Sequence, residues 1–431
     1  MSSKLDYLRS LPAIRERCSK VHALAQKDKL HFFEYHPEKE EDAIKFCLNI
    51  INRDYGSNTG SIPPHGRWRH LDAGRPRIEP LIAKWKESSS APDDKEICRR
   101  LIDLFLVSVL LDAGAGNIWK YKEPGTTNEY NRSEGLGVAS FHMFDEGFFS
   151  GDESHPHRVD AEGLSRITPE KVGAAMQVSD TNPMNGLEGR ATLLSKLATA
   201  LRSSQVYFGK EARPGNIVDY LEKNSTSVDG TTVVPVESLW NILIVGLNSI
   251  WPASRTTLDG VPCGDVWPSP VLTPEGYHEE GDNYVPFHKL TGWTTYSLLE
   301  ALQKVMKWKF TGLENLTGLP EYRNGGLLID TGVLKLRQDV IQKELYPDPA
   351  SSIPRLPPSH PAIVEWRAMT IIELDRIADG IRLKLGLKPE QLTLAQVLES
   401  ATWKGGREIA ALKRPETKGP PIDIESDGTV F

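Results

Sequence analysis

Four short segments of the 431-residue chain concentrate side chains that could do chemistry. His65-Gly66-Arg67-Trp68-Arg69-His70-Leu71-Asp72 sets two guanidiniums, two imidazoles and an indole in a stretch bounded by Pro and Gly. Such density in a loop suits an aromatic wall with donors for an anionic or hydroxylated ligand, whereas an isolated Trp-Arg pair is ordinary surface packing. Ser140 to Phe149 places His142, Asp145 and Glu146 among Phe141, Met143, Phe144, Phe148 and Phe149. A carboxylate against aromatics resists ionisation unless it is paired, which suits holding a hydroxyl or a proton; Asp145 as a helix cap is the alternative. Tyr284 to Trp293 brings His288 and Lys289 to the start of a helical segment. Leu316 to Gly326 is a polar turn carrying Glu321, Tyr322, Arg323 and Asn324 between apolar flanks. Singly these are helix boundaries. Together they offer a base, a cation and hydrogen-bond donors.

The common catalytic signatures are missing: there is no GxSxG, GxxxxGK[ST] or HExxH. The glycines of Asp112 to Asn117 follow a helical run rather than a strand, so they read as its cap. His70-x-Asp72, His142-xx-Asp145 and His155-x-His157 could each give a metal two ligands, with His278 or His288 as a third, but none has a diagnostic helical spacing. The expectation is no cofactor, with a divalent metal such as zinc as the alternative.

These groups need a scaffold, and apolar periodicity supplies helices. Runs at Lys95–Asp112, Leu187–Arg202, Val236–Trp251, Thr294–Met306 and Ala362–Leu385 step by three or four. In the last, Ile363, Trp366, Thr370, Leu374, Ile377 and Ile381 share a face and Gly386 follows as a C-cap. No convincing alternating run or βαβ rhythm is present, which argues against a Rossmann sheet. Gly (35) and Pro (30) gather in long connections at 56–80, 123–137, 254–284 and 346–361. The expectation is one mainly helical unit over 1–412, with few strands and long loops, and a C-terminal tail over 413–431. Lys+Arg 51 against Asp+Glu 58 gives a net charge of -7, which lacks the footprint of a general nucleic-acid binder. Cys18, Cys47, Cys98 and Cys263 show no CxxC spacing, and Leu101 to Leu111 is too short to span a membrane. With no apolar leader at the N-terminus, these features point to the cytoplasm.

Several segments resemble the fungal and bacterial family of the fourth uracil-catabolism protein: HGRWRHLDAGRPR, SEGLGVASFHMFDEGFF, NPMNGLEGRATLL, VPFHKLTGW and LPEYRNGGLLIDTGVL. A more distant likeness links the back half to the queuosine-salvage nucleoside glycosidases. Phe287-His288-Lys289-Leu290-Thr291 is similar to their Phe-Tyr-Lys-Arg-Ala, and Leu319-Pro320-Glu321-Tyr322-Arg323 to their Phe-Ala-Asp-Tyr-Arg. Trp251-Pro252-Ala253-Ser254-Arg255 and Phe144-Asp145-Glu146-Gly147-Phe148 are similar to two further segments, in the same order. Glu321 stands where those enzymes carry Asp, and the Arg-Ala-Gln after the lysine is lost.

That second resemblance implies a helical unit of the helix-hairpin-helix DNA-glycosylase type. The first implies a pathway that degrades uracil through ribosylurea to urea. Together they imply a small ribosyl substrate and cleavage of its ribosyl–nitrogen bond, with no nucleic-acid or membrane partner. Glu321 would stabilise C1 or activate water, and Lys289 would position it or protonate the leaving group. Asp145 and His142 would hold ribose hydroxyls. Arg67, Arg255 and Arg323 would meet a phosphate or the urea carbonyl, with Tyr322 beside them, while Trp68 and Phe144 would exclude water. The rivals are a metal-dependent amide hydrolase using His70, Asp72, His142 or His288, and a non-catalytic protein that binds a pyrimidine breakdown product.

Overall fold

The computed structural model describes residues 3–252, 255–273, 279–348 and 351–425. It is mainly helical, with strands of two to five residues. Its Cα packing separates two compact units, where one had been expected over 1–412. The first takes residues up to 65, then 253–289 and 314–425; the second takes 66–252 and 290–313.

The first unit is organised by the helix Pro361–Leu385, which has Pro in its first turn and is capped by Gly386 at φ 66°. All six residues of the apolar face are buried, and the first half is buried almost all round, so Glu365, Arg367 and Glu373 lie inside as well. Against it pack the helices Leu11–Ala25, Glu40–Tyr55 and Tyr322–Asp330. Trp366 Nε1 donates to the Gly325 carbonyl at 2.9 Å, and a Cβ on Gly325 would lie 2.7 Å from that indole. The helix Trp403–Lys413 crosses Tyr322–Asp330 just as closely, with Gly406 against the carbonyl of Arg323. A single π-turn, Leu398–Thr402, precedes it. Strand pairs are local: Phe33–Tyr35 with Leu334–Leu336, and Val266–Pro268 with Tyr284–Pro286, both antiparallel. Part of the expected tail is packed: Arg414 pairs with Asp330, Ile422 is buried, and Asp423–Ile424 runs parallel to Arg355–Leu356.

The second unit is built on the helix Asp94–Leu110. Asp93 caps it by accepting from the Glu96 N–H at 2.7 Å, and it is buried throughout from Leu101 to Leu110. It ends without using Gly114 or Gly116 in the expected way. Arg190, fully buried, donates to the carbonyls of Leu111, Ala113 and Asn185. This accounts for part of the NPMNGLEGRATLL segment as helix termination. Leu187–Ser203 ends one residue beyond its expected bound, Val236–Gly246 stops five residues early, and the run expected from Thr294 begins at Lys289. A three-stranded sheet joins Thr226–Val228, Thr231–Pro235 and Lys309–Thr311. Among the described residues no helix is long and apolar enough to cross a membrane, and all four cysteines are buried free thiols.

Candidate functional site

The candidate residues divide by unit. Lys289, Glu321, Tyr322, Arg323 and Arg255 belong to the first; Arg67, Trp68, His142, Phe144 and Asp145 belong to the second.

In the first unit Glu321 is the N-cap of Tyr322–Asp330, extended at φ -108° and ψ 166°. Its Oε2 accepts from the Arg323 N–H at 2.9 Å and its Oε1 from the Asn324 N–H at 2.7 Å. Each oxygen keeps a lone pair for another partner, and the residue is 9% exposed. A carboxylate at a helix N-terminus is favoured by both the orphan N–H groups and the axial dipole. The turn that presents it is held at several points. Arg15 donates to the carbonyls of Glu314, Asn315 and Leu316, Asn324 Nδ2 to that of Leu319, and Arg367 Nε to that of Pro320. Arg323, largely buried, lies over the rings of Tyr322 and Trp403 at 5.2 and 5.5 Å. Trp403 also meets His65, whose Nδ1 is 2.6 Å from Glu399 on the π-turn.

Lys289 opens its helix half-buried, and its N–H donates to Asp265 Oδ2 at 2.9 Å. Asp265 is wholly buried and takes both guanidinium Nη groups of Arg367, at 2.8 and 2.7 Å, and the Trp267 indole N–H at 2.7 Å. Burial alone would push this carboxyl up; the Arg367 guanidinium and the Lys289 N–H hold it well below the usual carboxylate range instead. Just before Lys289, His288 is buried with φ 45° and gives Nε2 to the Leu8 carbonyl at 2.8 Å. Burial drives its pKa down to about 4. Arg255 stacks over Trp267 at 4.8 Å.

In the second unit the segment expected as a ligand-binding loop holds the short buried helix Arg67–Leu71. Its apolar and aromatic residues found more stabilisation in the core than at a surface. Arg67 is fully buried, 2.7 Å from Asp112 and donating from Nε to Ser108 at 2.8 Å. Trp68 donates to Asp72 at 2.9 Å, packs edge-on against Phe105 and lies under Lys304. Phe144 is core, against Trp85 and His157. Asp145 ends the helix Arg132–Asp145 rather than capping its start, and pairs with His157 at 3.0 Å and Lys84 at 3.3 Å. His157 is the main reason its carboxyl sits below the ordinary value. His142 stacks on Tyr121 and reaches Glu123 at 3.3 Å. Glu123, with no exposed side-chain surface, takes Arg75 and Arg77 as well; these pairs outweigh its burial and lower its pKa. A surface concavity of about 670 Å³, lined by Lys122 to Thr127 and Gln177, meets this network at Glu123 and is lined by none of the ten candidates.

The residues weighed as ligands for the alternative, metal-dependent reading are spread over different contacts. His70 packs edge-on against Trp293, Asp72 accepts from the N–H groups of Arg77 and Ile78, and His278 lies outside the described residues. Among the described residues no three His, Cys, Asp or Glu side chains cluster as a metal site. The sequence reading missed Asp265, Arg367 and Arg15. Arg367 had a signal: it falls between Ile363 and Thr370 at the spacing of the apolar face, where a charge must be paired. Asp265 had none.

Comparison with known proteins bears on the whole chain. The model of a family described as "Protein of unknown function (DUF1688)" matches residues 7–431. "Uracil catabolism protein 4" of Lachancea kluyveri is 44% identical over 446 aligned residues, covering 100% of both chains. "Protein urg3" of Schizosaccharomyces pombe is 41% identical over 428, covering 98% of both. The match runs over essentially the whole chain, and the chain belongs to the family of the fourth uracil-catabolism protein.

Proposed function

We propose that this chain acts in uracil catabolism as an N-glycosidase, hydrolysing the ribosyl–nitrogen bond of ribosylurea or its 5-phosphate. The pathway rests on the name of the Lachancea relative. The activity rests on the resemblance of the Lys289 and Glu321 segments to those of nucleoside glycosidases, which would also make the first unit a relative of helix-hairpin-helix glycosylases. The observation that carries it is a shared mooring. The N–H of Lys289 and the carbonyl before Glu321 are bound by the same buried Asp265–Arg367 pair.

In this reaction the C1–N bond breaks with both electrons leaving on nitrogen, and positive charge builds at C1 and the ring oxygen. Glu321, its charge supported by two N–H donors, faces that charge and takes a proton from the incoming water. Water oxygen bonds to C1, the leaving nitrogen gains a proton from the Lys289 ammonium, and the products are urea and ribose, or ribose 5-phosphate from the phosphorylated substrate. Solvent exchange returns the proton from Glu321 to Lys289. Arg323, held flat by Tyr322 and Trp403, offers its donors to the urea carbonyl or a phosphate.

The test incubates purified protein with ribosylurea and with its 5-phosphate, with and without EDTA, following urea by coupled urease. The expected result is release that chelation does not touch and that Glu321→Gln lowers by about 10²–10⁴-fold. Ammonia that forms without urease and is lost with EDTA would transfer the assignment to a metal-dependent amide hydrolase, which frees ammonia rather than urea. Binding without release would make the protein a metabolite sensor.

A further inference from the structure

We infer that Asp265 and Arg367 are positioning residues, a single buried ion pair that sets Lys289 and Glu321 by their main chain; this rests on the reading above. The two side chains satisfy each other through both carboxylate oxygens and both Nη groups. Each has one further reach toward the site. Asp265 accepts the Lys289 N–H on Oδ2 and, through its carbonyl, the N–H groups of Phe287 and His288 at 2.9 and 3.3 Å. Arg367 gives Nε to the carbonyl of the Pro320–Glu321 peptide at 3.2 Å. The guanidinium is planar, so the direction of its Nε–H is fixed once its Nη groups grip Asp265. The two peptides therefore cannot shift independently.

Two features make this more than core packing. His288 holds a left-handed backbone while fully buried, a conformation that persists where the surroundings over-determine it and that gathers at functional sites. The pair itself is also a poor choice for stability alone, because apolar side chains of similar volume serve a core equally well. What the ion pair adds is direction.

The test uses the full chain carrying Arg367→Lys, which keeps the charge on Asp265 but loses the planar fork. A second variant, Asp265→Asn with Arg367→Met, leaves no buried charge unpaired. Urea release is measured together with amide hydrogen exchange, and Glu365→Gln on the same helix is the control. For both variants kcat should fall about 100-fold with KM within about threefold, the loss expected when reacting groups are displaced by about 1 Å. Exchange should quicken together at residues 287–289 and 323–324, and in the control at neither. A wild-type kcat in both variants, or quickening at only one segment, overturns the proposal. If the wild-type chain releases no urea from either substrate, the glycosidase reading fails, and the exchange result alone decides whether the pair couples the two segments.

Discussion

Glu365 gives the chain a measurable pH dependence. It lies on Pro361–Leu385, 2% exposed, and its two oxygens accept the N–H groups of His31 and Phe32, each at 2.9 Å. Those donors favour the carboxylate, but burial wins and pushes the pKa from the ordinary 4.5 up to about 7. A group whose pKa rises on folding stabilises the fold most when protonated. Between pH 4.5 and about 7 the unfolded chain gives up this proton while the folded chain keeps it, so unfolding releases a proton and stability falls as pH rises. Above about 7 both states are ionised and the loss is complete, at about 3 kcal/mol from 1.36 kcal/mol per pH unit. Glu365→Gln is close in shape to the protonated acid and does not titrate. Urea unfolding of both proteins from pH 4 to 8 should start from a fixed offset at pH 4, because the Gln amide nitrogen cannot accept one of the two N–H groups. The variant should then gain relative to wild type up to about pH 7, with a plateau beyond. Taking the difference removes every other titrating group. Parallel curves, or a gap that opens only above pH 7, would refute the reasoning.

Other perturbations have equally direct readouts. Gly406→Ala drives a Cβ into the Arg323 carbonyl, and the two crossing helices must separate. We expect a loss of about 1–3 kcal/mol in denaturant unfolding, with the larger part of any activity change in substrates that use Arg323. Arg190→Met orphans two carbonyls just past Asp94–Leu110, those of Leu111 and Ala113, and that of Asn185. It should cost about 3 kcal/mol, read as a lowered thermal midpoint, whereas a neutral result would mean that water replaces the guanidinium. Burial pushes the thiol pKa of Cys47 up to about 12, and that of Cys263 to about 11. A thiol reagent at pH 8 should therefore find no fast-reacting cysteine in the native chain and four after denaturation.

Helix content was legible because it depends on periodicity, which a single sequence displays. Pro361–Leu385 and Leu187–Ser203 differ from their expected bounds by a residue. The periodic run was drawn only from Thr294 because Leu290, Thr291 and Gly292 do not extend the apolar stripe, yet they are buried as part of the helix. Reading His65–Asp72 as a loop failed for a similar reason: its charges marked a surface, while partners more than thirty residues away neutralised them inside. Arg67 needs Asp112 and Ser108, and no local pattern announces either. The turn at Glu321 was visible as polar residues between apolar flanks. Its supports were not, because Arg15 and Arg367 reach it from helices about 300 residues before and 50 after in sequence.

The first unit is assembled from three stretches of chain that are far apart in sequence. That has a consequence during synthesis. The helices Leu11–Ala25 and Glu40–Tyr55 leave the ribosome early, but the helix that covers their apolar faces begins at Pro361. At roughly 5–20 residues per second that wait lasts roughly 15–60 s. Meanwhile the second unit, almost all of it drawn from the unbroken stretch 66–252, is emerging and can begin to pack. A premature stop near residue 360 would thus leave two orphaned amphipathic helices on a partly folded chain.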